Sequence, residues 1–276
     1  MIIDGHRHIC GDPAPILASM DKLGIDCTVL AGVGVRNLSV VTIRDSLIFR
    51  VPWMLETFGV WKSRRIVRSL RFRETLLPQP ENDLVEAAIR KYPNRFRGFV
   101  FVNPVHPHAL DQVERRLSAG FCGIKMALLQ YPAALDGPQV SALCEIASAR
   151  GIPVFFHQGL TASASDPTGM MKRFPKVNFI IAHAGVQYFD QAIELARAQR
   201  NVWLDTSSYF VTLPKLRRLV REVGAEKLVF GSDVPVMAMD AGQALNKIKA
   251  LDISEQERSA ILGGNLMQIL DSSNEP

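Results

Sequence analysis

Short apolar runs separated by stretches with helical spacing are the main pattern of this sequence. Eight such runs are rich in β-branched and aromatic residues, and most are continuously apolar instead of alternating with polar residues. This pattern is typical of parallel strands that are covered on both faces, with a helix between successive strands. The predicted strands are Ile2 to His6, Cys27 to Ala31, Phe99 to Val102, Gly123 to Met126, Pro153 to His157, Asn178 to Ala182, Val202 to Asp205 and Leu228 to Gly231.

The stretches between these runs carry helix start and stop signals. Asp12 before Pro13 predicts an N-cap and a first helical position, and Gly24 closes the same helix. Ser254 and Glu257 have the spacing of a capping box. Eight strand-helix units in about 250 residues predict a (β/α)₈ TIM barrel, although an open doubly wound sheet follows the same local pattern.

The stretch from Val33 to Gln79 is too long for an ordinary loop after a strand. It predicts a partly helical insertion between strands 2 and 3 within a single domain that covers residues 1–276. Arg64, Arg68 and Arg71 in this stretch are spaced for one helix face. We expect a solvated helix whose apolar side packs on the barrel or on a second subunit. A lid that holds an anionic substrate is the main alternative, and a nucleic-acid surface is disfavoured because no recognition motif accompanies the charge.

Composition is that of an ordinary globular protein, with 47% hydrophobic and 21% charged residues. The formal net charge of +5 favours the approach of anionic small molecules and does not by itself indicate nucleic acid. The four cysteines are scattered without a C-x-x-C pair, which favours reduced thiols over disulfides. Neither a signal peptide nor a membrane-spanning run is recognisable, so we expect a cytoplasmic protein without membrane contact and leave a homodimer open.

Candidate chemistry lies at the ends of the predicted strands. His6 and His8 are two residues apart, so a strand would send both imidazoles to one side. His157 and His183 end the fifth and sixth strands, and Asp233 follows the eighth. For each residue taken alone, a strand cap or a core polar residue is the better explanation. Because the carboxyl ends of barrel strands meet at one mouth, the set together predicts a shared site.

This set of residues resembles the amidohydrolase superfamily and, within it, the amidohydrolase-related group of short barrels that usually hold one metal ion. The sequence Gly231-Ser232-Asp233-Val234-Pro235 and the later Gly264-Asn265 are also similar to that group. The resemblance implies that Asp233 and His183 are catalytic. The metal ligands that it implies are His6, His8, His157 and Asp233.

Three imidazoles and a carboxylate suit one divalent metal ion, with zinc as the first expectation and manganese or iron as alternatives. Lys125, near the end of the predicted fourth strand, stands where two-metal relatives carry a carboxylated lysine. We do not expect a second metal there. A substrate-binding role, as an anchor for a carboxylate, and a structural lysine whose stem covers apolar surface are both favoured over it.

The resemblance leads us to expect a metal-dependent hydrolase that cleaves a C–N or C–O bond of a small, anionic substrate with metal-activated water. Asp233 would take the proton of that water, and His183 would donate a proton or stabilise negative charge. A metal-dependent non-oxidative decarboxylase, a lyase acting on a small carboxylic acid, is the alternative, because the same group contains such enzymes. Several of them carry Glu in place of the first histidine, so His6 slightly favours hydrolysis. A barrel without turnover that acts as a binding protein is a further alternative.

Overall fold

The computed structural model describes residues 1–40, 54–238 and 240–271, and its eight parallel strands pair in chain order. The strands are β1 (Ile3–His8), β2 (Cys27–Ala31), β3 (Phe96–Val102), β4 (Gly123–Ala127), β5 (Val154–His157), β6 (Phe179–Ile181), β7 (Val202–Asp205) and β8 (Leu228–Val229).

The sheet closes on itself through the backbone of β1 and the segment that follows β8. The Gly5 N–H donates to the Phe230 carbonyl at 2.9 Å, and the His8 N–H donates to the Val234 carbonyl at 2.9 Å. Helices lie between the strands, so the chain forms the predicted (β/α)₈ barrel. A closed barrel brings the carboxyl ends of all eight strands to one mouth.

The α-helices are α1 (Ala14–Leu23), α2 (Val60–Arg68), α3 (Leu70–Thr75), α4 (Asp83–Lys91), α5 (Ala109–Ser118), α6 (Pro138–Arg150), α7 (Ala162–Ser165), α8 (Thr168–Arg173), α9 (Phe189–Ala198), α10 (Leu213–Val223), α11 (Ala241–Lys249), α12 (Glu255–Ser259) and α13 (Asn265–Asp271). No helix within the described ranges is long and apolar enough to cross a membrane.

The predicted caps are present, with one shift of position. Gly24 ends α1 in the left-handed region, at φ 67°, and Ser254 and Glu257 form the capping box of α12. The first helix begins at Ala14, one residue later than predicted, and the Asp12 carboxylate accepts from the Ala14 N–H at 3.0 Å. Asp12 therefore still satisfies a free N–H at the start of the helix, although it lies just outside the N-cap position.

Strand bounds differ from the prediction where apolar character and hydrogen bonding disagree. β1 continues past the predicted end at His6 to His8, because His8 pairs with Ala31 of β2. β3 begins earlier than predicted, at Phe96. β8 ends at Val229, so Asp233 lies in the loop beyond the strand.

Within the insertion, residues 55–75 are mostly helical, and Val35 forms an isolated β-bridge with Leu76, whereas residues 41–53 lie outside the described residues. A wide helical turn, Leu55–Gly59, leads into α2. The chain then breaks at Ser69, whose backbone is extended and whose hydroxyl accepts from the Phe72 N–H at 3.2 Å to start α3. The prediction of one arginine face is wrong, because Arg71 belongs to a different helix from Arg64 and Arg68.

The core has an inner and an outer layer, as strand alternation requires. Inward-facing side chains such as Phe99, Phe155 and Ile180 form one cluster that also includes Leu266 of α13. The outward-facing side chains of the same strands pack under the surrounding helices. Apolar packing therefore occupies the barrel interior and leaves the carboxyl ends of the strands for polar groups.

Candidate metal centre and active site

The two histidines of β1 point to the same side of the strand, as their spacing predicts, and both are buried. Their Nε2 atoms lie 3.3 Å (His6) and 3.4 Å (His8) from Asp233 Oδ1. One ligand atom from each of these three side chains lies within 4.8 Å of the others, which is close enough to share one metal ion. Three of the four predicted ligands therefore converge in the structure.

Hydrogen bonds on the far side of each ring fix its tautomer. His6 Nδ1 lies 3.0 Å from Asp205 Oδ2, and His8 Nδ1 lies 2.5 Å from the Gly32 carbonyl oxygen. Both partners can only accept, so each Nδ1 carries the proton and each Nε2 keeps its lone pair. Burial also lowers the pKa of both rings, with Lys125 adding to the effect, so the imidazoles are neutral. This is the arrangement found in histidines that bind metals.

His157 lies beside this group without joining it. Its ring centroid is 6.0 Å from that of His6 and 4.6 Å from that of His183. Across the ranges that the structure describes, no set of closely converging ligand atoms includes a nitrogen of His157. Burial lowers the pKa of this ring too, so it is a neutral imidazole at the edge of the centre.

Asp233 reaches the centre because the loop after β8 turns sharply. Its φ is 57°, in the left-handed region that few residues other than glycine adopt, and its N–H donates to the His6 carbonyl at 2.6 Å. Burial raises the pKa of its carboxyl well above the ordinary range. Its Oδ1 has no hydrogen-bond partner among the described residues. A buried carboxylate oxygen without a donor is costly unless a cation or a proton meets it.

His183 follows β6, also with a left-handed backbone, at φ 51°. The Ser207 hydroxyl donates to Asp205 Oδ2 at 2.5 Å, so its oxygen accepts from His183 Nδ1 at 2.8 Å. His183 Nε2 is therefore unprotonated, lies 3.4 Å from Asp233 Oδ2, and has no hydrogen bond to any described residue. Burial lowers the pKa of this ring to about 4, against a smaller rise from Asp205. His183 is a neutral group that can accept a proton.

Lys125 lies inside the centre, with only 1% of its surface exposed. Its Nζ is 2.5 Å from His6 Nε2 and 3.1 Å from His8 Nε2, and burial lowers the pKa of this amine to about 8. The amine is buried among the imidazoles and does not extend to solvent, as it would in a lysine whose stem only covers apolar surface. A metal ion on His6 and His8 would repel a charged amine at this position, so the two cations cannot share these nitrogens.

A sequence profile of the amidohydrolase (Amidohydro_2) family matches residues 72–270. The chain belongs to the amidohydrolase family. The search of curated proteins found no match to the sequence. The profile match begins after β1 and does not include His6 and His8. The position of these two histidines beside Asp233 is therefore structural evidence that does not depend on the profile.

Solved structures with the same barrel are similar to this amidohydrolase at low sequence identity. A TIM-barrel protein from Bordetella bronchiseptica has a TM-score of 0.69 at 18% identity, with 99% of each chain covered. A 2,6-dihydroxybenzoate decarboxylase from Rhizobium has a TM-score of 0.64 at 18% identity, with 98% of each chain covered. A dihydroxybenzoic acid decarboxylase from Polaromonas sp. JS666, with bound manganese and the inhibitor 2-nitroresorcinol, has a TM-score of 0.64 at 17% identity over 99% of this chain and 98% of that one.

A pocket of about 1180 Å³, measured out to its open mouth, lies above the centre of this amidohydrolase. Its floor includes His8, Lys125 and Asp233, and one face of α2 forms part of its wall through apolar side chains and Arg64. The helix of the insertion therefore contributes to the pocket wall, and its role as a lid stays a prediction. The buried Arg64 Nε has no hydrogen-bond partner in the described part of the chain. Asp233 is the only acidic residue among the described pocket residues, so the pocket suits a small anion.

Sequence reasoning missed the groups that orient the histidines. Asp205 is completely buried, and its carboxylate lies between His6 and His183. Its position at the end of β7 was the available signal. Ser207 and the Gly32 carbonyl gave no signal, because their contacts depend on how the neighbouring strands are aligned.

Proposed function

We propose that this amidohydrolase is a metal-dependent, non-oxidative decarboxylase of a small aromatic carboxylic acid that carries ring hydroxyl groups. The observation that carries the proposal is the convergence of two unprotonated Nε2 atoms, of His6 and His8, with the unpartnered oxygen of Asp233. These atoms lie on the floor of a largely apolar pocket. The named decarboxylases with the same fold support this reaction over the hydrolysis that His6 slightly favoured.

The donor set fits one divalent metal ion, which His6, His8 and Asp233 would hold with His157 beside them. Neutral imidazoles and one carboxylate suit manganese and zinc alike, and the manganese in the Polaromonas enzyme supports testing manganese first. When bound, such an ion supplies Lewis acidity and fixes the orientation of substrate oxygens. We propose no second metal ion on Lys125.

The remaining groups have roles that follow from their protonation. Asp233 Oδ2 lies 3.4 Å from His183 Nε2, so these two groups can hold one proton between them. As the bond between the ring carbon and the carboxylate breaks, its electron pair stays on the ring carbon. That carbon takes the proton held by His183 or Asp233, and CO₂ leaves.

Lys125 and the pocket walls would act on the carboxylate of the substrate. We propose that the Lys125 amine, displaced from the imidazoles when the metal binds, holds the carboxylate of the incoming acid. Walls such as Phe101 and Phe72 exclude water from that group. Removing water destabilises a carboxylate relative to neutral CO₂, so an apolar pocket favours its loss.

The test begins with protein freed of metal by a chelator and reloaded with Mn²⁺ or Zn²⁺. We expect metal-dependent CO₂ release from hydroxybenzoates, and a loss of roughly 100-fold or more in the Asp233→Asn variant. His108→Ala is the matched control, because His108 is exposed and does not line the pocket. Release of amine or alcohol from amide and ester substrates, without CO₂ from any acid, would instead establish a hydrolase. Unchanged activity after metal removal would refute the metal-dependent reaction.

A further inference from the structure

Lys247 is a half-buried lysine of α11 that the proposed reaction does not use. Its Nζ donates to the Ser208 carbonyl at 3.0 Å and to the Val211 carbonyl at 2.8 Å. Both of these residues are buried, and they belong to the loop between β7 and α10. A buried carbonyl that loses its donor costs free energy, so the amine stabilises this loop in its observed conformation.

The same loop carries a hydroxyl group that contacts two histidines of the centre. Ser207 directly precedes Ser208, and its hydroxyl donates to Asp205 Oδ2 at 2.5 Å and accepts from His183 Nδ1 at 2.8 Å. His6 Nδ1 lies 3.0 Å from the same hydroxyl oxygen. The position of this one oxygen therefore affects the imidazole of a proposed metal ligand and the imidazole of the proposed catalytic His183.

The backbone between Ser207 and the carbonyls that Lys247 binds is strained. Ser208 has a φ of 81°, in the left-handed region that residues other than glycine rarely adopt. Such a conformation persists only where surrounding contacts hold it. Besides the bonds to Lys247, the Phe210 N–H donates to Ser208 Oγ at 3.3 Å. Without the lysine we expect the backbone at Ser208 to relax, and the neighbouring Ser207 to move with it.

The charge of the amine also acts on the groups that Ser207 joins. Burial lowers the pKa of Lys247 to about 8, and the nearby Asp205 carboxylate raises it, so the amine is mostly protonated at neutral pH. A protonated amine donates all of its hydrogens and accepts none, which suits two carbonyl partners. Lys247 therefore combines hydrogen bonds to the loop with an attraction to the carboxylate that orients His6.

We propose that Lys247 is a positioning residue, which holds the Ser208 and Val211 carbonyls so that the Ser207 hydroxyl lies between Asp205 and His183. Through that hydroxyl it helps to keep the Nδ1 protons of the histidines directed away from the metal centre. The inference rests on the proposed function for the part of His183 in proton transfer. Its effect on metal binding can be measured without any substrate.

A double-mutant cycle with Ser207 tests whether Lys247 acts through that hydroxyl. Calorimetric titration of the metal-free proteins measures the affinity for Mn²⁺ in wild type, Lys247→Met, Ser207→Ala and the double variant. We expect Lys247→Met to weaken binding about tenfold when Ser207 is present and less than about twofold in the Ser207→Ala background. A lysine that only stabilises the fold would have the same effect in both backgrounds. Lys249→Met is the matched control, because Lys249 is exposed on the same helix and should leave the affinity unchanged.

The rate of CO₂ release from hydroxybenzoates, at saturating Mn²⁺, is the second measurement on the same four proteins. We expect Lys247→Met to lower kcat about tenfold with KM within about twofold of wild type, and to lower kcat less than about twofold in the Ser207→Ala background. Circular dichroism shows whether each variant is folded. Lys247→Gln, which is neutral and shorter, takes the place of Lys247→Met if the latter does not fold.

Equal effects of the lysine substitution in the two backgrounds would overturn the inference. Mn²⁺ binding within about twofold of wild type by the folded lysine variant would overturn it as well. If wild-type protein released no CO₂ from any hydroxybenzoate, the decarboxylase would be refuted. The Mn²⁺ cycle would still decide the role of Lys247, because it needs no substrate.

Discussion

Replacing Asp205 by Asn should weaken metal binding although Asp205 is not a proposed ligand. Its Oδ2 lies 3.0 Å from His6 Nδ1, accepts from the Ser207 hydroxyl at 2.5 Å, and accepts from the His183 N–H at 3.0 Å. Its Oδ1 accepts from the Ser207 N–H at 3.1 Å. The carboxylate therefore fixes the proton of His6 on Nδ1 and leaves the opposite nitrogen free to bind metal.

The magnitude follows from these four donors. An asparagine can keep an oxygen toward His6, but its NH₂ group then faces the Ser207 N–H, and the negative charge is lost. Hydrogen bonds to a charged group contribute about 1.5–3 kcal/mol and neutral ones about 0.5–1.5 kcal/mol. Loss of a carboxylate that orients a metal-binding histidine costs about 10- to 100-fold in affinity, or about 1.4–2.8 kcal/mol.

Calorimetric titration of metal-free protein with Mn²⁺ measures this change directly. Asp111→Asn is the matched control, because that side chain is 86% exposed and should leave the affinity unchanged. Circular dichroism of the metal-free variant shows whether it is folded. If folded Asp205→Asn bound Mn²⁺ within about twofold of wild type, the assignment of the His6 tautomer to Asp205 would be refuted.

Two further perturbations test the packing and the protonation of the centre. In Gly231→Ala the new Cβ would lie 2.5 Å from Asp205 Oδ1 and 2.7 Å from His6 Cβ. We therefore expect the free energy of unfolding, measured in urea, to decrease by about 1–3 kcal/mol, and metal binding to weaken. Unchanged stability would mean that the loop after β8 can shift. His183 has its pKa lowered to about 4 by burial, so between about pH 6.5 and 4 the unfolded state binds more protons than the folded one. The free energy of unfolding of metal-free protein should therefore decrease as the pH is lowered. This side chain should account for a decrease of about 2 kcal/mol from pH 7 to pH 5. Denaturant titrations at both pH values should give a smaller fall for His183→Gln, and an equal fall would contradict a buried neutral ring.

Much of the fold could be predicted, because apolar periodicity and helix caps act over a few residues. The runs around Phe99 and Phe155 indicated buried parallel strands, and Gly24 marked the end of a helix. The end of β1 was misplaced because Arg7 and His8 are polar, although their backbones pair with β2. Strand ends of this kind depend on partners that local sequence does not specify.

The sequence by itself determined which side chains could form the centre. His6 and His8 share a side of β1 through strand alternation alone, and strand ends place His183 and Asp233 at the same mouth. Tertiary structure alone decided which atoms face each other. The Gly32 carbonyl and Asp205 fix the imidazole tautomers, and Lys125 lies between the two rings. Such contacts join residues far apart in the chain at distances of about 3 Å, and the alignment of neighbouring strands sets them.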